Sequence, residues 1–261
     1  MTHTSISPDD VWAGSRGAGP DAVLLHSLAL DSGMWDGVVE RYEDRFRAIR
    51  VDFPGHGKSG YRGQVLDVWD LAEVVVSALD RLRVRRAHVV GVSLGGSVAM
   101  ALSIRHPDRV RNLVLADCSA NYGPDRVRKW DDRARSAVTL PRREQFADSR
   151  TRWFSPRYLE QQPGVIARFE AMFVRCDPAA HAATCRALGA LDLLDELQAI
   201  AAPTLVVVGS DDTGTPVGMS EEIAARVPGA RLEIVPGARH MALIENEPVW
   251  EAVLDHLGTA S

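Results

Sequence analysis

The stretch that decides the fold is "HVVGVSLGGSVAM", His88–Met100. An apolar run stops at a glycine, one serine stands between glycines, and small and apolar residues resume at helical spacing. A buried strand running directly into a helix produces that pattern. Packing is one reason for the glycines, since they let strand and helix approach closely. Chemistry is the other. Gly91-Val92-Ser93-Leu94-Gly95 fits G-x-S-x-G between a predicted strand and a predicted helix, where a sharp turn holds a serine hydroxyl out as a nucleophile. The start of the helix also favours developing negative charge beside that serine.

Strand–helix alternation extends outward from this point. "DAVLLHS", "RAIRVDFPG", "AHVVGV", "RVRNLVLADCS", "PTLVVVGS" and "ARLEIVPG" read as strands. Between them "LDSGMWDGVVERYEDRF", Asp67–Arg83, "LGGSVAMALSIRHP", "PVGMSEEIAARV" and "EPVWEAVLDHLG" read as helices, the first capped by Asp31 or Ser32. Such alternation implies an α/β fold, a mostly parallel central sheet with helices on both faces. From Asn121 to Glu196 the texture changes to Arg-rich helical stretches without a strand. The chain therefore divides into a core of residues 1–120 and 197–261 and a helical cap of residues 121–196, inserted after the strand ending near Asp117. Open α/β sheets bind ligands at the carboxyl ends of their strands, so the insertion is expected to lie over a site as a lid.

Bulk properties narrow the function. The 261 residues suffice for one large α/β domain, and a net charge of −5 argues against nucleic acid or an anionic membrane as partner. No apolar run is long enough to span a bilayer, and "MTHTSISPDD" lacks the features of a secretory signal. Cys118, Cys176 and Cys185 are few and not spaced like metal ligands, which fits reduced thiols in a cytoplasmic protein.

A serine needs a base to take its proton, and the base needs a carboxylate to orient it. His240, in "PGARHMALIENEP" between the last predicted strand and the last helix, is the best-placed base. His56 reads as a structural loop residue, and His26 as one that bonds backbone in the loop after the first strand. His88, His106, His181 and His256 lack a comparable loop setting. For the acid, Asp211 and Asp212 follow one strand and Asp117 ends another, and the residues alone leave the three open. The chain order Ser…Asp…His suits an α/β arrangement. Donors for an oxyanion are expected from the backbone N–H groups of Leu94 and Leu28.

The chain resembles the α/β-hydrolase fold family and, within it, the 3-oxoadipate enol-lactone hydrolases. The resemblance rests on "LLHSLALDSGMWD", "FRAIRVDFPGHGKSG", "GVSLGGSVAM", "LVLADCSA", "RWFSPRYLEQQPGVIARFEAMF", "DPAAHAATCRALGALDL", "APTLVVVGSDDTGTP" and "PGARHMALIENEP". It spans Asp21 to the last helix, including the cap. The family pattern G-x-x-D-x-x-x-P falls on Gly209, Asp212 and Pro216. The resemblance thus implies Asp212 as the acid with Ser93 and His240, and makes Asp117 a structural residue. It further implies hydrolysis of a small ester or lactone, an enol-lactone carrying a free carboxylate, with no metal or organic cofactor. Two departures stand out: Ala29, and often Ser27, replace usual glycines, and His181 occupies an unexpected cap position.

Ser27 and Trp153 are the expected substrate-binding residues, while Met172 and Phe173 read as cap core. Arg133, Arg135, Arg150, Arg152, Arg157, Arg168 and Arg175 all qualify as partners for a substrate carboxylate. The same fold also supports C–C hydrolysis, cyclisation or lyase chemistry, perhydrolysis, or slow-turnover ligand binding. Oligomeric state is not written in these motifs.

Overall fold

The computed structural model describes residues 6–7 and 10–258, so most of "MTHTSISPDD" lies outside the described residues. Among them, seven strands form one sheet: β1 (Ala13–Arg16), β2 (Asp21–Leu25), β3 (Arg47–Val51), β4 (Ala87–Val92), β5 (Val110–Ala116), β6 (Thr204–Gly209) and β7 (Arg231–Val235). Their order is β1-β3-β2-β4-β5-β6-β7, with every pairing parallel except β1 to β3. Every residue of β4 and β6 is buried. Strands apolar on both faces require cover on both.

That cover comes from α1 (Asp36–Tyr42), α2 (Val68–Arg81), α3 (Leu94–Arg105) and the later helices of the core. Helix α2 presents Leu71, Val75, Ala78 and Leu79 as its buried face, and its start is fixed by the reciprocal bonds of Asp67 and Asp70. The segment read as one long first helix is a 3-10 turn, Ser32–Trp35, capped by Asp31 and followed by α1. Strand β1 escapes the sequence reading because "AGSR" has no apolar alternation; it forms by antiparallel pairing along the edge of β3.

Between β5 and β6 the chain builds α4 (Arg126–Thr139), α5 (Arg142–Trp153), α6 (Pro156–Gln161), α7 (Pro163–Arg175) and α8 (Pro178–Ala190). A β-bridge between Asn121 and Asp192 brings the two ends of this insertion together. Phe146, Trp153 and Phe173 form its aromatic centre, with ring centroids 5.8–6.1 Å apart. Arg175 ties it to the sheet side by donating to buried Asp31 at 2.9 and 2.5 Å, and Met172 is buried as well. The chain then returns through β6, α9 (Val217–Arg226), β7, α10 (Ala242–Glu245) and α11 (Val249–Leu257).

Candidate active site

The turn from β4 into α3 is as tight as its glycines suggest. A Cβ at Gly91 would lie 2.3 Å from the Gly95 carbonyl oxygen, and one at Gly95 would lie 2.3 Å from that of Leu25. No side chain fits either position. Ser93 takes φ 57° and ψ −115°, a conformation that costs a non-glycine residue ~1–3 kcal/mol. Backbone bonds hold it there: Ser93 N–H donates to Ala116 at 2.9 Å, and Ser97 N–H donates to Ser93 at 3.0 Å.

Three side chains from distant segments join in series. The Ser93 hydroxyl lies 2.9 Å from His240 Nε2, and His240 Nδ1 lies 2.8 Å from Asp212 Oδ2. With Nδ1–H donating to the carboxylate, Nε2 is left to accept from the serine. Asp212 also accepts from the amides of Gly214 and Thr215 and from the Thr215 hydroxyl at 2.6 Å. Burial works to raise its pKa, but the charge and hydrogen bond of His240, together with the Thr215 donors, hold it below the usual carboxylate value. For His240 burial favours the neutral ring, yet the Asp212 carboxylate outweighs this and lifts its pKa above that of an ordinary histidine.

The rival acids lie elsewhere. Asp211 is exposed and bonded to Ser210. Asp117 is buried beneath the site, where it accepts from Gly209 N–H at 3.0 Å and Ala242 N–H at 2.9 Å. Burial pushes its carboxyl up to about 7. It thereby fastens the end of β6 to the segment just beyond His240. Gly209 is required at this crossing, since its Cβ would sit 2.3 Å from the carbonyl oxygens of Ala238 and Arg239.

The loop after β2 faces Ser93. His26 Nδ1 donates to Ser27 O at 2.8 Å, while His26 Nε2 accepts from Phe53 N–H at 2.9 Å. Leu30 N–H reaches the same Ser27 carbonyl at 3.2 Å. A trans peptide points C=O and N–H in opposite directions. Pinning the Ser27 carbonyl therefore turns the Leu28 N–H the other way. Ala29 adopts φ 59°, which accounts for the glycine that resembling sequences carry there. Leu94 is the first residue of α3, so its N–H has no intrahelical acceptor.

A cavity of about 40 Å³ lies against Ser93 and His240, lined also by Ser27, Leu28, Gly214 and Thr215 and by Tyr122, Trp130, Arg133, Arg152 and Trp153. Trp153 thus both lines the cavity and anchors the inserted helices. Tyr122, Trp130 and Thr215 were not legible as site residues, although Thr215 lies within the Gly209–Pro216 motif. His181 lines a neighbouring crevice instead, where Arg142 Nη1 is 2.7 Å from its Nδ1. His56 is buried against Pro54 O, and burial pushes its pKa down to about 3.

Residues 23–247 match the model of the alpha/beta hydrolase fold family. The chain is 37% identical to a pimeloyl-[acyl-carrier protein] methyl ester esterase of Nitrosomonas europaea, over 93% of this chain and 97% of that one. It is 26% identical to 3-oxoadipate enol-lactonase 2 of Acinetobacter baylyi, over 90% and 87% of the two chains. The crystal structure of the enol-lactonase from Burkholderia xenovorans LB400 superposes with a TM-score of 0.89 at 31% identity, covering 95% of this chain and 96% of that one. The chain belongs to the α/β hydrolase fold family, within its carboxylic ester hydrolases.

Proposed function

We propose that the protein hydrolyses a small ester or lactone by acyl transfer to Ser93. The observation that carries this reading is the serial hydrogen bonding of Ser93, His240 and Asp212. His240 takes the serine proton as Oγ attacks the substrate carbonyl, then returns it to the leaving oxygen. Asp212 holds the imidazole tautomer and stabilises the imidazolium. The N–H groups of Leu28 and Leu94 receive the oxyanion of the tetrahedral intermediate. Water activated by His240 then releases the acid. For an enol-lactone the leaving oxygen stays attached to the product and becomes a ketone on tautomerisation.

The helices of residues 121–196 serve as the cap. Trp130, Arg133, Arg152 and Trp153 close the cavity from that side and keep bulk water from the acyl-enzyme. Three buried free cysteines support a reducing, cytoplasmic setting.

The small cavity supports a compact acyl group, as in an enol-lactone of the 3-oxoadipate type, and the enol-lactonase relatives support the same choice. The methyl ester esterase relative favours a second reading, cleavage of a methyl ester from an acyl chain. A side-by-side assay separates them. A muconolactone-type enol-lactone is expected to exceed methyl esters of medium-chain acids at least roughly tenfold in kcat/KM. The reverse preference selects the second reading.

A further inference from the structure

The cavity against Ser93 holds only about 40 Å³. Pockets that take small-molecule ligands run from roughly 300 to 1,000 Å³. A second cavity, of about 340 Å³, reaches that size where α1 and the 3-10 turn before it meet α6, α7 and α10. Val38, Val165, Phe169, Leu243 and Trp250 give it apolar walls. Its charged residues are engaged or face solvent: Arg41 pairs with Glu247, Glu245 accepts from the amides of Ser155 and Arg239, and Arg168 is exposed. Met34 connects the two cavities. It lines the larger one, and its Sδ accepts from the Ser27 N–H at 3.3 Å, with Ser27 on the wall of the smaller.

We propose that Met34 is a gate between the two cavities and fixes the length of acyl chain that the enzyme accepts, with the larger cavity as the chamber for an apolar acyl chain. The inference rests on the reading of Ser93 as the nucleophile, because the gate controls what extends from the carbonyl that Ser93 attacks. A thioether is a weak acceptor, so its bond to the Ser27 amide costs little to release. Methionine also has three rotatable side-chain bonds and repacks where a stiffer side chain would not. With Met34 in place, the small cavity alone faces Ser93 and a compact acyl group fits. With Met34 turned aside, a longer chain continues past Ser27 into the chamber. The acyl side of the ester is the one that reaches it. The leaving oxygen must face His240 Nε2 to receive its proton, so the acyl chain runs the other way, toward the loop of Ser27 and Leu28 that Met34 touches.

The test compares methyl acetate, methyl hexanoate and hexyl acetate, with acid release followed at constant pH. Met34→Ala should raise kcat/KM for methyl hexanoate relative to methyl acetate roughly tenfold or more over the ratio of the unaltered enzyme. Hexyl acetate, whose chain lies on the leaving side, should show no such gain. Val165→Trp, which fills the chamber from α7, should cancel the gain when added to Met34→Ala. Thermal melts establish that each variant is folded, and Met34→Val carries the same test with a smaller packing loss. A general disturbance of the Ser27 loop would lower all three rates together and leave their ratios alone. An unchanged ratio, a gain confined to hexyl acetate, or a gain that survives Val165→Trp overturns the proposal. Failure of the nucleophile reading looks different: the Ser93→Ala protein would go on hydrolysing the esters.

Discussion

The His26 imidazole donates from Nδ1 to the carbonyl of its own neighbour, Ser27, at 2.8 Å, while its Nε2 accepts from Phe53 at the end of the next strand. This one ring couples two strand ends and sets the peptide plane that carries the Leu28 N–H. With the Leu28 N–H as the proposed oxyanion donor, removal of the ring is expected to act on the transition state through that amide. His26→Ala should lower kcat roughly tenfold to a hundredfold with a small change in KM, because the misdirected donor matters most when the oxyanion forms. The Phe53 amide also loses its acceptor, which should cost ~1–3 kcal/mol of stability in chemical denaturation. An unchanged kcat would separate His26 from the oxyanion site.

Asp212 and Asp117 offer a paired test, because both are buried carboxylates at strand ends. Asp212→Asn removes the acceptor that fixes the His240 tautomer and should cut kcat by roughly 10³–10⁴-fold. Asp117→Asn keeps one acceptor oxygen but sets an amide group against a backbone N–H. It should cost ~1–3 kcal/mol of stability and much less activity. Steady-state kinetics with parallel denaturation curves read both effects. A larger kinetic loss from Asp117→Asn would reassign the acid.

The pH profile follows from His240. Only the neutral ring can take the Ser93 proton, so kcat/KM should rise with pH as the ring loses its own proton. The Asp212 charge raises that pKa, which sets the midpoint of the acidic limb above that of an ordinary histidine. Asp212→Asn removes the raising influence and leaves burial, which favours the neutral form, so the residual activity should have its limb at lower pH. A midpoint that does not move in the variant would mean that another group governs the limb.

The glycine-bounded serine and the returning β–α alternation made the central sheet, Ser93 and the His240 loop legible, because each has a local cause: a turn that excludes side chains, or strands buried on both faces. Asp212 needed the wider pattern ending at Pro216, since Asp211 and Asp212 are adjacent and only the fold decides which one reaches His240. Strand β1 was not legible, as its order comes from the edge of β3 rather than from its own residues. The cap side of the cavity was the least legible. Seven arginines qualified by sequence. Of these, only Arg133 and Arg152 line the Ser93 cavity, and the turn of α4 and α5 over it is not written in the local sequence. His181, the residue that departs from the resembling sequences in this region, packs against Phe173 with ring centroids 5.6 Å apart.

The central claim is that Ser93 is the nucleophile. Intact-protein and peptide mass spectrometry after treatment with a fluorophosphonate tests it most directly. One adduct per chain is expected, located on Ser93, with hydrolysis lost in proportion to labelling and no adduct in Ser93→Ala. Folded, active protein that leaves Ser93 unmodified, or whose activity survives full modification of Ser93, would contradict it.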